Sequence, residues 1–473
     1  MHRTWRRKTA IWGAVAVTAL ALPVAAAWPS IAGSPGTAPA VRTLTVASKA
    51  QLASAVAKAK PGDRILVPDG TYSAPIRLNR PGTAAAPITI AAKNPGKALV
   101  TSDKAFQLDG AAHVVIEGFT FTGNGGLTVP GTAVAARITR NTFQGNKEGH
   151  WLSVNAHDTE VDHNLFRNKK NKGVYLSVTG PGSKDMAQRV RIHHNHFLNH
   201  QFSGGNGGES LRLGLSGRQH AKAFAIVEHN LFEKADGDLE AISIKSSNNI
   251  IRYNTIVNSE GTITLRHGSN SVVDGNMLIG GKTGIRIFGN DQVIVNNVVQ
   301  NTSGQPISVG GGAVKDDTGS TTDHDAADRA VIAFNTIVAQ RGSLISFGTG
   351  KKFGPSDITL ANNILSGSGK LISKGQSTRL SWQGTIVHGG SSGDIPAGGF
   401  KAVNPQLVQG PDGLFRLKAG SPAIDAGTGS FPQAGNDIDA QTRSGKKDAG
   451  ADEFSANGQR KPLTAADVGP KAP

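Results

Sequence analysis

The sequence predicts an all-β fold, a right-handed single-stranded parallel β-helix with an N-terminal helical cap, and three observations lead to this prediction. A short motif recurs nine times: an apolar residue, two variable residues, Asn, one variable residue and a second apolar residue. Its most closely spaced copies are 20 to 24 residues apart. Val, Ile, Phe and Thr, which favour strands, flank each Asn. This period is too short for a pair of helices and is typical of one β-helix coil.

The repeated Asn residues are predicted to stack from coil to coil into a ladder, because equivalent positions of successive coils lie above one another. Gly and Asn also tolerate the positive φ angles of sharp turns. The apolar positions then form a column of Val, Ile, Leu and Phe, which is the predicted core. The nine motif positions are Asn141, Asn164, Asn195, Asn230, Asn254, Asn276, Asn296, Asn335 and Asn363.

The segments that flank the repeats predict the two ends of the fold. Leu44–Val56 has the apolar spacing of a short amphipathic helix, and Pro61–Tyr72 follows it as the first coil. Ser421–Gly427 and Asp448–Phe454 are predicted to be closing turns that protect the last coil from edge pairing. We therefore expect the β-helix to occupy residues 43–457, with a flexible tail over 458–473.

Three gaps between motif copies, of 31, 35 and 39 residues, are longer than one coil and predict loops. In repeat proteins such insertions gather on one face and build the binding surface. The second gap contains the Gly-rich segment Gly204–Ser210. The third contains an Asp-rich segment at 316–325, for which a lid, a second cation site and a solvated loop are all possible; we favour the solvated loop.

Composition excludes several functions. The chain has 473 residues and no Cys, which excludes disulfides, thiolate metal sites and a cysteine nucleophile. Any metal must therefore bind through oxygen or imidazole. The formal net charge of +16 predicts attraction to a polyanion, such as nucleic acid, anionic lipid or an acidic polysaccharide.

The first 27 residues are predicted to be a secretory signal peptide. Four basic residues within the first eight precede an apolar run over 9–24 and three alanines at 25–27. An uncleaved anchor and a twin-arginine export signal are the alternatives. Cleavage would leave a linker at 28–42 and a net charge of +12. We expect a secreted protein without stable membrane insertion that meets an acidic polysaccharide rather than nucleic acid; its oligomeric state stays open.

The coils around Asn254 hold the densest group of unusual polar residues. Asp238 and Glu240 are two apart on a predicted strand, so both side chains leave the same face, about 7 Å apart. Two carboxylates this close favour a cation between them, and Ca²⁺ is the simplest choice. Asn206 could add an amide oxygen. Alternatively, the two carboxylates face solvent or pair with basic side chains. The full group is Asp236, Asp238, Glu240, Lys245, Arg266 and His267.

Distances along the chain to the repeated Asn predict how the basic residues stack. Lys245 and His267 each lie nine residues before their Asn, so they should occupy adjacent coils. Arg266 and Arg286 each lie ten before theirs and form a second predicted column. The two columns would face opposite ways on a straight strand, so Lys245 and Arg266 can share a cleft only where the strand bends.

Three segments resemble polysaccharide lyase family six, the family of alginate lyases and chondroitinase B. They are N-G-G-E-S from Asn206, D-L-E-A-I-S-I-K-S from Asp238 and L-R-H-G from Leu265. The resemblance extends over most of the chain from about Thr43. It implies a parallel β-helix that performs a Ca²⁺-assisted β-elimination on uronic acid polysaccharides.

The resemblance also implies a role for individual residues. Lys245 would be the Brønsted base and Arg266 the acid. The Ca²⁺ ligands would be Asn206, Asp238 and Glu240, although Asp238 stands where Glu is more usual, which shortens one ligand arm. Four further residues are candidates for holding sugar carboxylates, since Arg binds carboxylate through two parallel hydrogen bonds: Arg212, His220, His267 and Arg286.

The function expected from the sequence is therefore that of a secreted lyase acting on alginate and leaving a 4,5-unsaturated uronate. Chondroitin or dermatan sulfate is the alternative substrate. A glycoside hydrolase that uses Asp236, Asp238 and Glu240 as acid and base is a second class of function. A polysaccharide-binding protein without catalysis is a third.

Overall fold

Three parallel sheets run along the described chain, as the motif period predicts. The structure, a computed structural model, describes residues 41–202, 204–316, 322–455 and 459–473. Each coil contributes one strand to sheet 1, the next to sheet 2 and the third to sheet 3, and every strand pairs in parallel with its equivalent one coil further on. The predicted right-handed parallel β-helix is thereby confirmed. The expected signal peptide at 1–27 lies outside the described residues.

Sheet 1 has fourteen strands. They are Arg42–Thr45, Asp63–Val67, Ile88–Ala92, Val114–Glu117, Arg137–Thr139, Glu160–Asp162, Arg191–His193, Ile226–Glu228, Ile250–Arg252, Val272–Asp274, Val293–Val295, Val331–Ala333, Thr359–Ala361 and Ser381–Gln383.

Sheet 2 also has fourteen strands. They are Gly70–Tyr72, Ala98–Ser102, Thr120–Asn124, Thr142–Gly145, Leu165–Arg167, His196–His200, Leu231–Ala235, Thr255–Val257, Met277–Ile279, Val298–Gln300, Thr336–Val338, Ile364–Ser366, Thr385–His388 and Phe400–Ala402.

Sheet 3 has ten strands, and a separate parallel pair, Ile76–Leu78 with Phe106–Leu108, precedes it along the chain. The ten strands are Leu127–Val129, Leu152–Val154, Leu176–Val178, Leu211–Gly214, Glu240–Lys245, Thr262–His267, Ile285–Ile287, Ile307–Val309, Ile345–Phe347 and Ile372–Ser373.

A short helix, Lys49–Ala57, closes the N-terminal end, within the segment where a helix is predicted. The Ser48 side chain accepts the backbone N–H of Gln51, and the Gln51 side chain accepts that of Ala47, so two N–H groups at the helix start are satisfied. Leu52 and Val56 join the core of the coils. In the described part of the chain, no helix has the length and apolarity needed to cross a membrane.

A buried Asn ladder fixes the register of successive coils. Asn254 is representative: its Oδ1 accepts the backbone N–H of Asn230 at 3.1 Å, and its Nδ2 donates to Val227 O at 2.9 Å and to Asn276 Oδ1 at 3.0 Å. One predicted position is wrong by one residue. The ladder uses Asn297, which accepts from Asn276, whereas its neighbour Asn296 takes the positive φ of the turn.

The C-terminal turns do not close the last coil as predicted but lie along the outer faces of the sheets. The segment 403–455 includes a two-stranded antiparallel pair, Val408–Gln409 with Phe415–Arg416, and a 3-10 helix, Pro432–Ala434. It packs on outward-facing apolar side chains such as Met277 and Ile364, which would otherwise be exposed to water.

The expected flexible tail is instead packed over 459–473. This segment, here called the strap, runs back across the coils towards the N-terminal end, with Val468 and Ala472 buried. Its contacts are Arg460 Nη2 to Gly275 O at 2.8 Å, Leu463 N to Thr255 Oγ1 at 2.9 Å, Gly469 N to His194 O at 2.8 Å and Arg140 Nη1 to Ala472 O at 2.7 Å.

We expect Asn254→Ala to lower the free energy of unfolding by about 3 kcal/mol, because it leaves a buried N–H and a buried carbonyl without partners. Chemical denaturation followed by circular dichroism measures the change. Asn146→Ala, at an exposed position, is the control. Equal stability of the two variants would contradict a structural role for the ladder.

Removal of residues 459–473 should lower the Tm by about 5 °C, since several hydrogen bonds and two buried apolar side chains are lost together. Arg140→Met, which breaks only the last contact of the strap, should have a smaller effect. Thermal unfolding of the two variants beside the full chain tests this order. An unchanged Tm after truncation would show that the strap adds no stability.

Candidate functional site

The outer face of sheet 3 forms the floor of the candidate site. Strand pairing places Arg212, Ser243, Thr264 and Arg286 in one column, each directly above the next. Their side chains alternate with inward-facing Leu and Ile residues of the core, so they point away from it. The arginines therefore flank two hydroxyl side chains along the length of the fold.

Lys245 and Arg266 each follow an inward-facing core residue and leave the outer face of sheet 3, beside a β-bulge. Ile244 pairs with Leu265 and Lys245 pairs with His267, which leaves Arg266 as the extra residue. The predicted stacking of Lys245 on His267 is thereby confirmed, and the required bend is present. The predicted column of Arg266 and Arg286 is wrong: Arg286 pairs with Thr264, because the ladder residue of that coil is Asn297 and Arg266 is an extra residue in the preceding coil.

Glu240 is the buried carboxylate on which the two arginines converge. It is 2% exposed. Its Oε1 lies 2.8 Å from Arg266 Nη1 and 3.6 Å from Arg286 Nη1, and its Oε2 accepts the hydroxyl of Ser243. The desolvated carboxylate is thus paired and holds both guanidinium groups over the floor.

Glu209 is a second buried carboxylate, to which the sequence analysis assigned no role. Lys245 Nζ donates to Glu209 Oε1 at 2.9 Å, and Arg212 Nη1 lies 4.0 Å from Oε2. Burial raises the pKa of Glu209, but the charges of Lys245 and Arg212 outweigh burial and hold this pKa below its usual value. A role for Glu209 in the site could have been predicted from its position in N-G-G-E-S, directly before a strand of sheet 3.

Asp238 is anchored by the Gly-rich loop. Its Oδ2 accepts the backbone N–H groups of Gly207 at 2.8 Å and Gly208 at 3.4 Å. The two loops approach so closely that a Cβ on Gly208 would lie 2.1 Å from Gly237 O. Burial raises the pKa of Asp238, and the negative charges of Glu209 and Glu240 act in the same direction. Asn206, next to Gly207, is exposed.

The donor set fits a hard divalent cation. Glu209 Oε2 is buried and accepts no hydrogen bond in the described part of the chain. Among the same residues, Asp238 Oδ1 has no hydrogen-bond donor either. Carboxylate and amide oxygens are the ligands that Ca²⁺ prefers, and Asn206 lies on the loop that holds Asp238. Glu209 is an additional candidate ligand; among the described residues, Glu209, Asp238 and Glu240 do not converge to within 4.8 Å of one another.

The remaining predicted site residues have different surroundings. Arg212 Nη2 lies 2.9 Å from His150 Nε2. His267 Nε2 lies 3.3 Å from the hydroxyl of Ser216, in the insertion that also carries the exposed His220. Burial, reinforced by nearby positive groups, lowers the pKa of His267 to about 3. The imidazole of His267 is thus neutral at neutral pH.

Among the described residues, two groups of acidic residues are close enough to hold a metal ion, and both lie apart from sheet 3. Glu160, Asp162 and His193 form one, and Arg137 closes it by donating twice to Asp162 at 2.8 Å. The second is Asp437, Asp439 and Asp452, in the C-terminal turns, where Arg416 Nη1 lies 2.8 Å from Asp439. Asp437 accepts the backbone N–H groups of Asp439, Gln441 and Glu453, so it stabilises the turns of this segment.

A right-handed parallel β-helix with paired carboxylates and cationic side chains on one sheet places the chain in the class of β-helix polysaccharide lyase folds. More narrowly, residues 46–371 match the family described as chondroitinase B. The chain belongs to this family, polysaccharide lyase family six. Among curated protein sequences, none matches the chain significantly.

Solved structures of family six share the fold. The alginate lyase AlyGC is 25% identical with a TM-score of 0.70, and the match covers 84% of this chain and 60% of that one. A mutant of AlyGC is 26% identical with a TM-score of 0.70, over 80% and 55% of the two chains. This chain thus spans little more than half of AlyGC. A mannuronic acid specific family six lyase from human gut microbiota is 23% identical with a TM-score of 0.64, covering 77% and 91%.

Acidification should destabilise the protein through histidines buried around the site. Burial lowers the pKa of His200 to about 3, and the ring lies 4.5 Å from that of Tyr175. The unfolded chain takes up this proton near pH 6.5 whereas the folded chain does not, so stability is lost as the pH falls below 6.5. His200→Gln should remove about 2 kcal/mol of this loss between pH 6.5 and 5.

Asp452 affects the pH dependence of stability in the opposite direction, because burial raises its pKa to about 7. The wild type and the variant must therefore be compared at each pH. Urea denaturation at several pH values gives the difference. His388→Gln, in the last coils of sheet 2, is the control. A difference between wild type and His200→Gln that stays constant with pH would contradict the proposed titration.

Proposed function

We propose that the protein is a secreted polysaccharide lyase that cleaves a uronate-containing acidic polysaccharide, most specifically alginate, by β-elimination. The observation that supports this proposal is the placement of Lys245 and Arg266 on the outer face of sheet 3, where they pair with Glu209 and Glu240. Alginate is favoured because AlyGC, which is 25% identical, is an alginate lyase of family six. The predicted leader at 1–27 and the net charge of +16 support secretion towards a polyanion.

Lys245 is the proposed base that removes the proton from C5 of the uronate. An ammonium group has no lone pair, so Lys245 acts as the base only after its proton has passed to solvent; Glu209 Oε1 lies 2.9 Å from Nζ. Loss of the C5 proton forms the C4–C5 double bond and breaks the bond from C4 to O4. Glu209 also fixes the position of Nζ relative to the floor.

Arg266 and Arg286 stabilise the negative charge that develops during elimination. Both guanidinium groups are held by Glu240 Oε1, so little reorganisation is needed when the substrate binds. Arg266 lies next to His267, which pairs with Lys245, and is placed to assist departure of O4. The leaving oxygen then takes its proton from Arg266 or from water. Arg212 and Arg286 flank the cleavage point and would hold carboxylates of neighbouring units.

Asn206, Asp238, Glu240 and Glu209 are the residues that would hold Ca²⁺. When bound, the ion would neutralise the substrate carboxylate and so favour loss of the adjacent proton. The Gly207 and Gly208 N–H groups orient Asp238 for this purpose.

The alternatives are distinguished by their products. A chondroitin or dermatan sulfate lyase would form the same double bond on a different polymer. A hydrolase would need an available acid and base, but Glu240 is engaged by two arginines and Asp236 accepts the backbone N–H of Glu260. A binding protein would release no product. His220 stays a predicted substrate contact.

Elimination is tested by ultraviolet absorbance of the purified protein mixed with alginate or dermatan sulfate, each with Ca²⁺ and with a chelator. We expect a rise with alginate that the chelator reduces. Lys245→Ala and Glu209→Gln should each lower the rate by at least about 100-fold, because the base is removed or left unpositioned. Lys401→Ala, at an exposed position in sheet 2, should behave as wild type.

Circular dichroism of each variant separates lost catalysis from lost folding. New reducing ends without absorbance would mean hydrolysis. A rise in absorbance with dermatan sulfate but not with alginate would mean that dermatan sulfate is the substrate. Near wild-type turnover by Lys245→Ala would exclude Lys245 as the base.

A further inference from the structure

The described residues of the insertion that follows strand Ile307–Val309 reach the site through His324, whereas Thr322 and Asp323 are exposed. Its described parts, 310–316 and 322–328, pair with each other through Ala313 N to His324 O at 3.1 Å and Ala326 N to Val314 O at 3.0 Å. Gly312 also forms two backbone hydrogen bonds with Phe353, from the loop of the next coil. These bonds tie the described residues 310–316 and 322–328 to their own coil and to the next. They form one side of the cleft, called the wall below.

His324 is the residue that this wall contributes to the site. Its ring stacks on Phe288 with centroids 4.3 Å apart and an interplanar angle of 13°. Its ring centroid also lies 5.4 Å from that of His267, to which the backbone of Asp323 hydrogen bonds. Since His267 pairs with Lys245, the stack connects the insertion directly to the proposed base.

Two buried polar atoms of this region are without hydrogen-bond partners in the described chain: His324 Nε2 and Arg266 Nε. Buried nitrogens of this kind normally have a partner, and leaving one unpaired is costly. After burial, the charges of Arg266 and Arg286 are the strongest influences that lower the pKa of His324, to about 4. His324 is thus a neutral ring at neutral pH, close to both guanidinium groups.

We propose that His324 is a substrate-binding residue, whose Nε2 hydrogen bonds to the uronate unit that Arg286 holds by its carboxylate. A neutral imidazole nitrogen can bind a sugar hydroxyl or carboxylate without adding charge to a region that already contains Lys245, Arg266 and Arg286. The wall thereby extends the site beyond the cleavage point, on the side away from Arg212. This assignment rests on the proposed function for the identity of the ligand.

The test compares His324→Phe, which retains a stacking ring but lacks the nitrogen, with His324→Ala, which loses both. We expect each to raise the KM for alginate about tenfold, as for one lost hydrogen bond, with the larger part of the loss in KM rather than kcat. His388→Phe is the matched control. The Tm of His324→Phe should equal that of wild type, whereas His324→Ala loses the stacking as well.

Wild-type KM in His324→Phe would overturn the proposal, because the ring alone would then suffice. A loss confined to kcat or to the Tm would overturn it too. A second experiment measures binding without turnover. Calorimetric titration of the Lys245→Ala protein, with and without His324→Phe, gives its affinity for hexamers of mannuronate or guluronate. Tighter binding by the parent than by its His324→Phe derivative supports His324 even if the wild type forms no unsaturated product; equal binding refutes it.

Discussion

The register set by the Asn ladder is the constraint on which the site depends. Each side-chain amide bonds the coil before it and the coil after it, so equivalent residues are held above one another along the whole stack. Residues far apart in sequence, such as Arg212 and Arg286, therefore share one column without any direct contact. The bulge at Arg266 matters for the same reason. Lys245 and Arg266 each follow an inward-facing core residue, so both leave the outer face, and the extra residue makes His267 the strand partner of Lys245.

The site balances buried charges rather than avoiding them. Glu209 and Glu240 are nearly inaccessible to water, and each is held by cations: Lys245 with Arg212 in one case, Arg266 with Arg286 in the other. Removing any partner would leave an uncompensated charge in a region of low dielectric. The carboxylates thus orient the cations before a polyanionic substrate arrives, and the neutral rings of His267 and His324 add polar contacts without further repulsion. Such preorganisation is what stabilises a developing negative charge.

Much of the fold, and part of the site, could be predicted from the sequence because a repeat makes local spacing equivalent to position in space. The spacing correctly stacked Lys245 on His267, and the resemblance to family six is confirmed by the family match. The spacing failed at Arg286: choosing Asn296 over the adjacent Asn297, together with the extra residue at Arg266, misplaced Arg286 by two residues. Glu209 and His324 were not assigned roles, because their partners come from other coils at separations that no motif fixes. The strap was missed since its Lys and Pro content is also typical of free termini.

The strap changes how the β-helix can unfold. In a stack of coils each unit contacts only its neighbours, so the ends can fray independently of the middle. Here Arg140 binds the carbonyls of Pro470 and Ala472, more than 300 residues away along the chain. These contacts close a loop around most of the coils, and they form only after the last residues have been synthesised. The strap thereby makes the unfolding of distant coils cooperative, because unfolding of the coil that holds Arg140 also releases the C-terminal residues.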